Sequence, residues 1–263
     1  MSKRLKTEFD EVMEKVNRNG LDLQFAEEFQ NNREIVMAAV QQNGRALLYA
    51  SPELKADKEV VMAAVGQYGP AFYVVSGELK QDREVVMAAV QQDGQALYFV
   101  PDDMKDREVV MEAVQQHGSA FVYAPDNFLE DRAVVMEAVQ RNGMALQVVD
   151  HFQQDKEVVM AAVQQNGRAL EFAPAFQADP EVACAAVMNT PEALPFIDRS
   201  LDKNHEFLQC MIRNRIPPDR VSLKKQMVKQ TRFKVAVAHA LPNELVEKVQ
   251  GYGGKRRKRT RRR

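Results

Sequence analysis

Tryptophan is missing from this 263-residue chain, serine is scarce, and only two cysteines and four histidines occur. Cys184 and Cys210 show neither C-x-x-C nor metal-ligand spacing, so no disulfide framework is expected, and two lone thiols suit a reducing compartment. His117, His151, His205 and His239 share no helical-face spacing with a cysteine, an aspartate or one another, whereas a metal site needs converging ligands. No G-x-S-x-G offers a nucleophile elbow. Neither G-x-x-x-x-G-K-[ST] nor G-x-G-x-x-G occurs, and Gly251-Tyr252-Gly253-Gly254 lacks the flanking strand and helix of a phosphate loop. No catalytic residue, metal, cofactor or small-molecule substrate is therefore assigned. A non-enzymatic protein is expected, with an enzyme sited on a concave surface as the lesser alternative.

Long apolar runs are missing as well. The opening residues, MSKRLKTEFDEVMEKV, turn amphipathic and acidic at once, so no secretory signal is expected. No run approaches the ~20 apolar residues of a membrane-spanning helix. An intracellular location, cytoplasmic or nuclear, follows as an expectation, with no membrane partner. At 45% hydrophobic residues the chain nevertheless has ample material for a core, which excludes disorder throughout.

What the chain does contain is one stretch written again and again. In Asp155 to Pro174 (DKEVVMAAVQQNGRALEFAP) an acid opens an apolar helix-sized run, a glycine breaks it, and Ala-Leu plus an aromatic closes it. The methionine recurs at Met13, Met37, Met62, Met87, Met111, Met136 and Met160, in steps of 24 or 25 residues. The glycine recurs at Gly20, Gly44, Gly69, Gly94, Gly118, Gly143 and Gly167. A fixed period of this size marks a repeat array whose units bury their apolar faces only by stacking on one another.

Asp57, Asp82, Asp106, Asp131, Asp155 and Asp179 stand where a helix N-cap is wanted, with Pro180 at a first helical position. The run Val60 to Val65 reads as a helix buried on several sides, and Cys184 replaces its methionine as a small apolar side chain. Gly69 and its equivalents are expected to end this helix in the left-handed conformation. A short second helix follows, with Ala46, Ala71, Ala96, Ala120, Ala145 and Ala169 permitting close approach. A turn then carries one more anchor (Leu54, Leu79, Met104, Phe128, Phe152, Phe176). Nothing alternates with period two.

The predicted fold is an all-α solenoid of about nine helix-turn-helix repeats of 24–25 residues. Residues 1–31 read as an N-terminal capping repeat, 32–179 as regular repeats, 180–250 as degenerate repeats and capping helices, and 251–263 as a glycine hinge with a disordered basic tail. Within the third region, 219–240 reads as basic amphipathic helices and 241–249 as a last short helix.

The net charge of −1 conceals a split: residues 1–202 carry 18 Lys+Arg against 33 Asp+Glu, and residues 203–263 carry 18 against 4. Lys255, Arg256, Arg257, Lys258, Arg259, Arg261, Arg262 and Arg263 crowd the last nine positions, a density that suits nuclear import or a polyanion tether. No aromatic lies among them to stack on bases, so any nucleic-acid contact there is expected to be nonspecific.

The elements D-[KR]-E-V-V-M-A-A-V-Q-Q-N-G-x-A-L-x-[FY]-A resemble a repeat family catalogued as domain of unknown function 4116, most closely over about 32–174 and more loosely over 8–31 and 175–215. The resemblance implies an α-helical repeat and, the family having no assigned activity, brings no catalytic residue with it. Helical arrays by analogy serve as protein-interaction scaffolds.

Surface rows supply the candidate sites. Gln41, Gln91, Gln115, Gln140, Gln164 and their successors form a polar row, read either as a solvated ladder with some inter-repeat hydrogen bonds or as the edge of a ligand groove. Arg33, Lys58, Arg83, Arg107, Arg132 and Lys156 form a basic row expected to pair locally with the capping acids. Positions that vary while their neighbours stay constant suit a partner-binding face, and Arg45, Tyr73, Tyr98 and Arg168 are its candidates. The expected function is a scaffold for an unknown protein partner, with the cationic tail for nuclear import or polyanion tethering. A nucleic-acid-associated structural protein binding through its tail is the alternative. Leu241-Pro242-x-Glu244-Leu245 resembles the opening of an F-box, which leaves an adaptor as a remote third reading.

Overall fold

The computed structural model describes residues 3–214. The expectations for 219–240, 241–249, the Gly251–Gly254 hinge and the tail Lys255–Arg263 lie outside the described residues. The chain divides into a unit spanning Met1–Leu201 and a second beginning at Asp202. Among the described residues every regular element is helical and none is a strand.

Among the described residues nine repeats occur in sequence, eight in the unit Met1–Leu201 and one in the second. Their first helices are α1 (Lys3–Arg18), α2 (Arg33–Gln42), α3 (Lys58–Gln67), α4 (Arg83–Gln92), α5 (Arg107–Gln116), then, after the one-turn α6 (Asp126–Leu129), α7 (Arg132–Arg141), α8 (Lys156–Gln165), α9 (Pro180–Asn189) and, in the second unit, α10 (His205–Arg213). Helices α2–α5 and α7–α9 are each 10 residues long. Each starts on an extended Asn or Asp whose side chain accepts from the backbone two and three residues on. In α3, Asp57 Oδ1 receives the N–H of Glu59 at 3.0 Å and of Val60 at 3.2 Å, satisfying donors that a helix start leaves unpaired.

The expected second helix is a 3₁₀ segment of 6 residues, as in Gly44–Tyr49, Gly69–Val74 and Gly94–Phe99. Its second positions past the glycine (Ala46, Ala96, Ala120) and third (Leu47, Phe72, Leu97, Phe121) are buried. Since helix and 3₁₀ segment keep their lengths, the alternation of 24 and 25 is absorbed in the turn, which runs from Ala50 to Ala56 in one unit and from Val100 to Lys105 in another. Of the turn anchors, Leu54 and Phe128 are buried and the others half-buried.

The expected burial of the helix on several sides holds with one side left open, and the expected glycine conformation is corrected. Val60, Val61, Ala64 and Val65 are buried, but Met62 and Ala63 are half-exposed, and the same holds at Met37, Met87, Met111, Met136 and Met160. Neighbouring repeats cover two sides of the helix and leave the methionine row on a third. Nor does any described glycine take a positive φ. The helix ends instead on an extended residue before the glycine, such as Asn43 at φ −151° or Asp93 at φ −152°, which L residues adopt without strain.

The glycine is required by proximity. A Cβ on Gly69 would lie 2.5 Å from the Ala89 carbonyl oxygen of the next repeat, and closer still to the corresponding alanine oxygen at Gly20, Gly44, Gly94, Gly143 and Gly167. At three junctions a glutamine seals this contact. Gln92 Oε1 accepts the Gly69 N–H at 2.5 Å while its Nε2 donates to the Gln67 carbonyl at 3.2 Å. Gln42 does the same for Gly20 and Arg18, and Gln165 for Gly143 and Arg141. Backbone bonds add a further tie: Ser51 N–H to the Gln30 carbonyl and Ser76 N–H to the Lys55 carbonyl. Pro101, Pro125 and Pro174 occupy the matching positions elsewhere and have no N–H to give.

The cysteine expectation is also overturned. Cys184 and Cys210 are both disulfide-bonded, and no free cysteine remains among the described residues. Neither lies in the short-range spacing by which a sequence motif is recognised.

Candidate protein-interaction surface

The basic row at the helix starts reaches forward to the next repeat. Arg33 pairs with Asp57 at 2.7 Å and with Glu59, and Lys58 with Asp82 and Glu84 at 2.7 Å each. Arg83 pairs with Asp106 and with Glu108 at 2.5 Å. Arg107 meets Asp131 at 2.8 Å, Arg132 meets Asp155 at 3.2 Å and Glu157 at 2.5 Å, and Lys156 meets Asp179 at 2.9 Å and Glu181 at 2.8 Å. Each capping aspartate therefore serves two helices: one oxygen caps its own, the other receives the cation of the helix before.

Hydrogen bonds from Arg33, Lys58 and Arg107 hold Asp57, Asp82 and Asp131 below the usual carboxylate range, against the opposing effect of burial. At Asp106, Asp155 and Asp179 burial is the largest single influence and pushes upward. Backbone N–H donors and the neighbouring cation together outweigh it. Lys156 is raised to about 12 by Glu181 and Asp179. This row is occupied by its own neighbours and offers a ligand little.

The glutamine row divides in the same way. Gln42, Gln92 and Gln165 are spent on the glycine junctions, which favours the hydrogen-bonded ladder over the groove. A depression between α1 and α2 is bounded by Met13, Arg33, Glu34, Met37, Ala38 and Gln41.

The 3₁₀ segments present a different face. Four residues past the glycine come Leu48, Tyr73, Tyr98 and Val122, which are 42%, 44%, 62% and 55% exposed. They occupy one register on four consecutive repeats. The same position holds Gln24 before them and Gln147 and Glu171 after them, so the apolar stripe is bounded at both ends. Phe99 joins its two tyrosines: its ring centroid lies 5.6 Å from that of Tyr73 and 4.9 Å from that of Tyr98. Tyr98 meets Tyr123 edge to face at 5.1 Å. Offset and edge contacts of this kind fix aromatic side chains in place.

The structure thus unites two of the four candidate binding residues. Tyr73 and Tyr98 share the stripe. Arg45, exposed at the other end of its 3₁₀ segment, places its guanidinium 5.0 Å from the Tyr68 ring centroid. Arg168 is exposed five repeat steps further along the chain, away from both. Leu48 and Val122 share the variable register that marks the tyrosines in the sequence, although only Tyr73 and Tyr98 are candidates drawn from it; the role of Phe99 as the shared contact shows only in three dimensions. The eight candidate basic residues of the tail lie outside the described residues.

The turns beside the stripe turn their lysines inward. Lys80 Nζ donates to the Tyr73 carbonyl at 2.8 Å and lies 6.0 Å from the Phe72 ring centroid. The Lys105 side chain is 9% exposed and bonds Asp102 at 2.9 Å, and Lys55 is half-buried. Burial pushes both Lys55 and Lys80 below the ordinary lysine value. Glu53, Glu78, Asp102, Asp103 and Asp126 stay exposed on the same turns. Glu53 is held below the usual carboxylate range by its own backbone N–H and by Ser51.

Among the described residues no group of three or more His, Cys, Asp or Glu is placed to hold a metal ion, and no helix is long and apolar enough to cross a membrane. The model of the family described as Domain of unknown function (DUF4116) matches the chain four times, over residues 10–55, 57–105, 106–152 and 131–177, each match spanning about two of the structural units. No curated protein and no solved structure matches the chain.

Proposed function

This chain belongs to the DUF4116 family, and we propose that its array is a non-enzymatic scaffold that holds another protein against the exposed faces of its 3₁₀ segments. One observation carries the reading: Leu48, Tyr73, Tyr98 and Val122 keep large apolar side chains in solvent, in register, on four successive repeats. The buried positions around them are filled by Val, Ala, Leu and Phe, with no residue of polar or charged type buried as a whole among the described residues, so packing does not account for the stripe. Contiguous exposed apolar surface marks interaction sites, and tyrosine is enriched where binding energy concentrates. In this reading the run Lys255–Arg263 serves delivery to the nucleus or tethering to a polyanion, apart from the stripe.

Affinity capture from native extract with three forms separates the roles: the full chain, a chain lacking 255–263, and a Tyr73→Ser/Tyr98→Ser variant. Proteins held by the first two forms and lost by the third support a scaffold. If capture follows the tail alone, the molecule is a polyanion-binding protein and the scaffold reading falls.

A further inference from the structure

The chemistry around the stripe narrows what it holds. From Gly44 to Glu130 the chain carries 7 Lys+Arg against 14 Asp+Glu. Every one of those cations is engaged or withdrawn. Lys58, Arg83 and Arg107 pair with acids of the following helix, Arg45 stacks on Tyr68, Lys80 bonds the Tyr73 carbonyl, and Lys55 and Lys105 are sunk in their turns. The turns of the same repeats expose the acids Glu53, Glu78, Asp103 and Asp126, none of which is ion-paired among the described residues.

We propose that the occupant of the stripe is a cationic protein segment in which Phe, Leu or Tyr side chains are interspersed with Lys and Arg. This rests on the scaffold reading above and adds the partner's chemistry to it. Apolar side chains of the segment cover Leu48, Tyr73, Tyr98 and Val122. Its cations meet the acidic turns and the tyrosine faces, where a guanidinium or ammonium is attracted by the ring quadrupole. Four positions separated by packed layers of ~8–10 Å span roughly 25–30 Å, which about eight or nine extended residues cover at ~3.3 Å each. The same negative border repels nucleic acid and anionic membrane from this face, and opposite charge speeds encounter with a basic partner.

The test uses the full chain and three synthetic 12-residue peptides read by fluorescence anisotropy: one mixing four Lys with four Phe or Leu, one with Glu replacing each Lys, and one with Ser replacing each apolar residue. The first is expected to bind, and each of the other two to bind on the order of tenfold more weakly or worse. Tyr73→Ser/Tyr98→Ser and, separately, Glu78→Lys/Asp103→Lys are each expected to weaken the first peptide by about tenfold or more, with thermal melting unchanged to show that the fold is intact. Equal binding of the Ser peptide reduces the interaction to bulk charge and overturns the proposal. Equal, tyrosine-dependent binding of the Glu peptide overturns the cationic partner while leaving the scaffold standing. Binding indifferent to Tyr73→Ser/Tyr98→Ser removes both. A final variant replaces the eight basic residues of 255–263 with Gln: unchanged affinity supports a separate partner, whereas binding seen only in that variant assigns the stripe to the chain's own tail and overturns the proposal.

Discussion

The glycine that recurs at the repeat period acts, among the described residues, through its missing side chain rather than through its freedom to turn. Gly94 meets the Ala113 carbonyl of the next repeat so closely that a Cβ has no room, and the obstacle is backbone, which yields least. Gly66, inside α3, has nothing within 4 Å of where a Cβ would sit. Gly94→Ala is therefore expected to destabilise by about 1–3 kcal/mol or more, as overpacking does. Gly66→Ala is expected to stabilise by roughly 0.5–1 kcal/mol, the helix-propensity gain. Chemical denaturation of the two variants measures both, and equal effects would refute the distinction. The sequence showed that both are glycine and that one recurs at the period. It could not show why, because a helix-stopping glycine and a close-contact glycine look alike along one dimension. The methionines carry the same lesson: Met62 lies within an unbroken apolar run, and only the geometry of the stack decides that its side is left uncovered.

At the level of the element, the capping aspartates link each helix to its predecessor. Asp131→Ala removes the cap on α7 and strands Arg107, so a loss of about 1 kcal/mol or somewhat more is expected, read from the denaturation midpoint. Acid should act on all six links at once. Their folded pKa values lie below the unfolded value of about 3.9, so their contribution is complete above that value and is lost as pH falls through the folded values. The melting temperature is expected to hold steady from neutrality down to about pH 5 and to drop below about pH 4. A melting temperature flat to pH 2 would show the links to be idle. Lys156 works in the opposite sense: its raised pKa contributes below the unfolded lysine value of about 10.4 and is lost as pH climbs through about 12. These elements were largely legible, since Asp followed by a basic residue and an acid spells out cap and pair. Direction was not: the cation could as well have folded back on its own helix, and only the stacking distance sends Arg33 forward to Asp57.

For the molecule as a whole, the repeat period alone was enough to foresee all-helical repeats, nine of them among the described residues, and the irregular members appear where the pattern blurs. The interaction stripe was half legible. Tyr73 and Tyr98 stood out as variation against a constant background, but Arg45 and Arg168 shared that mark without sharing the place. In the unit Met1–Leu201 each repeat leans only on its neighbours, so amide hydrogen exchange is expected to be slowest in α4, α5 and α7 and to quicken toward α1. Uniform protection from α1 to α9 would mean that the unit opens all at once.

The junction of glycine against carbonyl is built from main-chain atoms that six of the described units supply in the same form, at Gly20, Gly44, Gly69, Gly94, Gly143 and Gly167. A period copied or lost by unequal genetic exchange would therefore find compatible joints on both sides without any compensating mutation. Length in such a lineage can change in whole steps while the bearing surface of each joint stays as it was, which leaves natural selection free to edit the outward residues one repeat at a time.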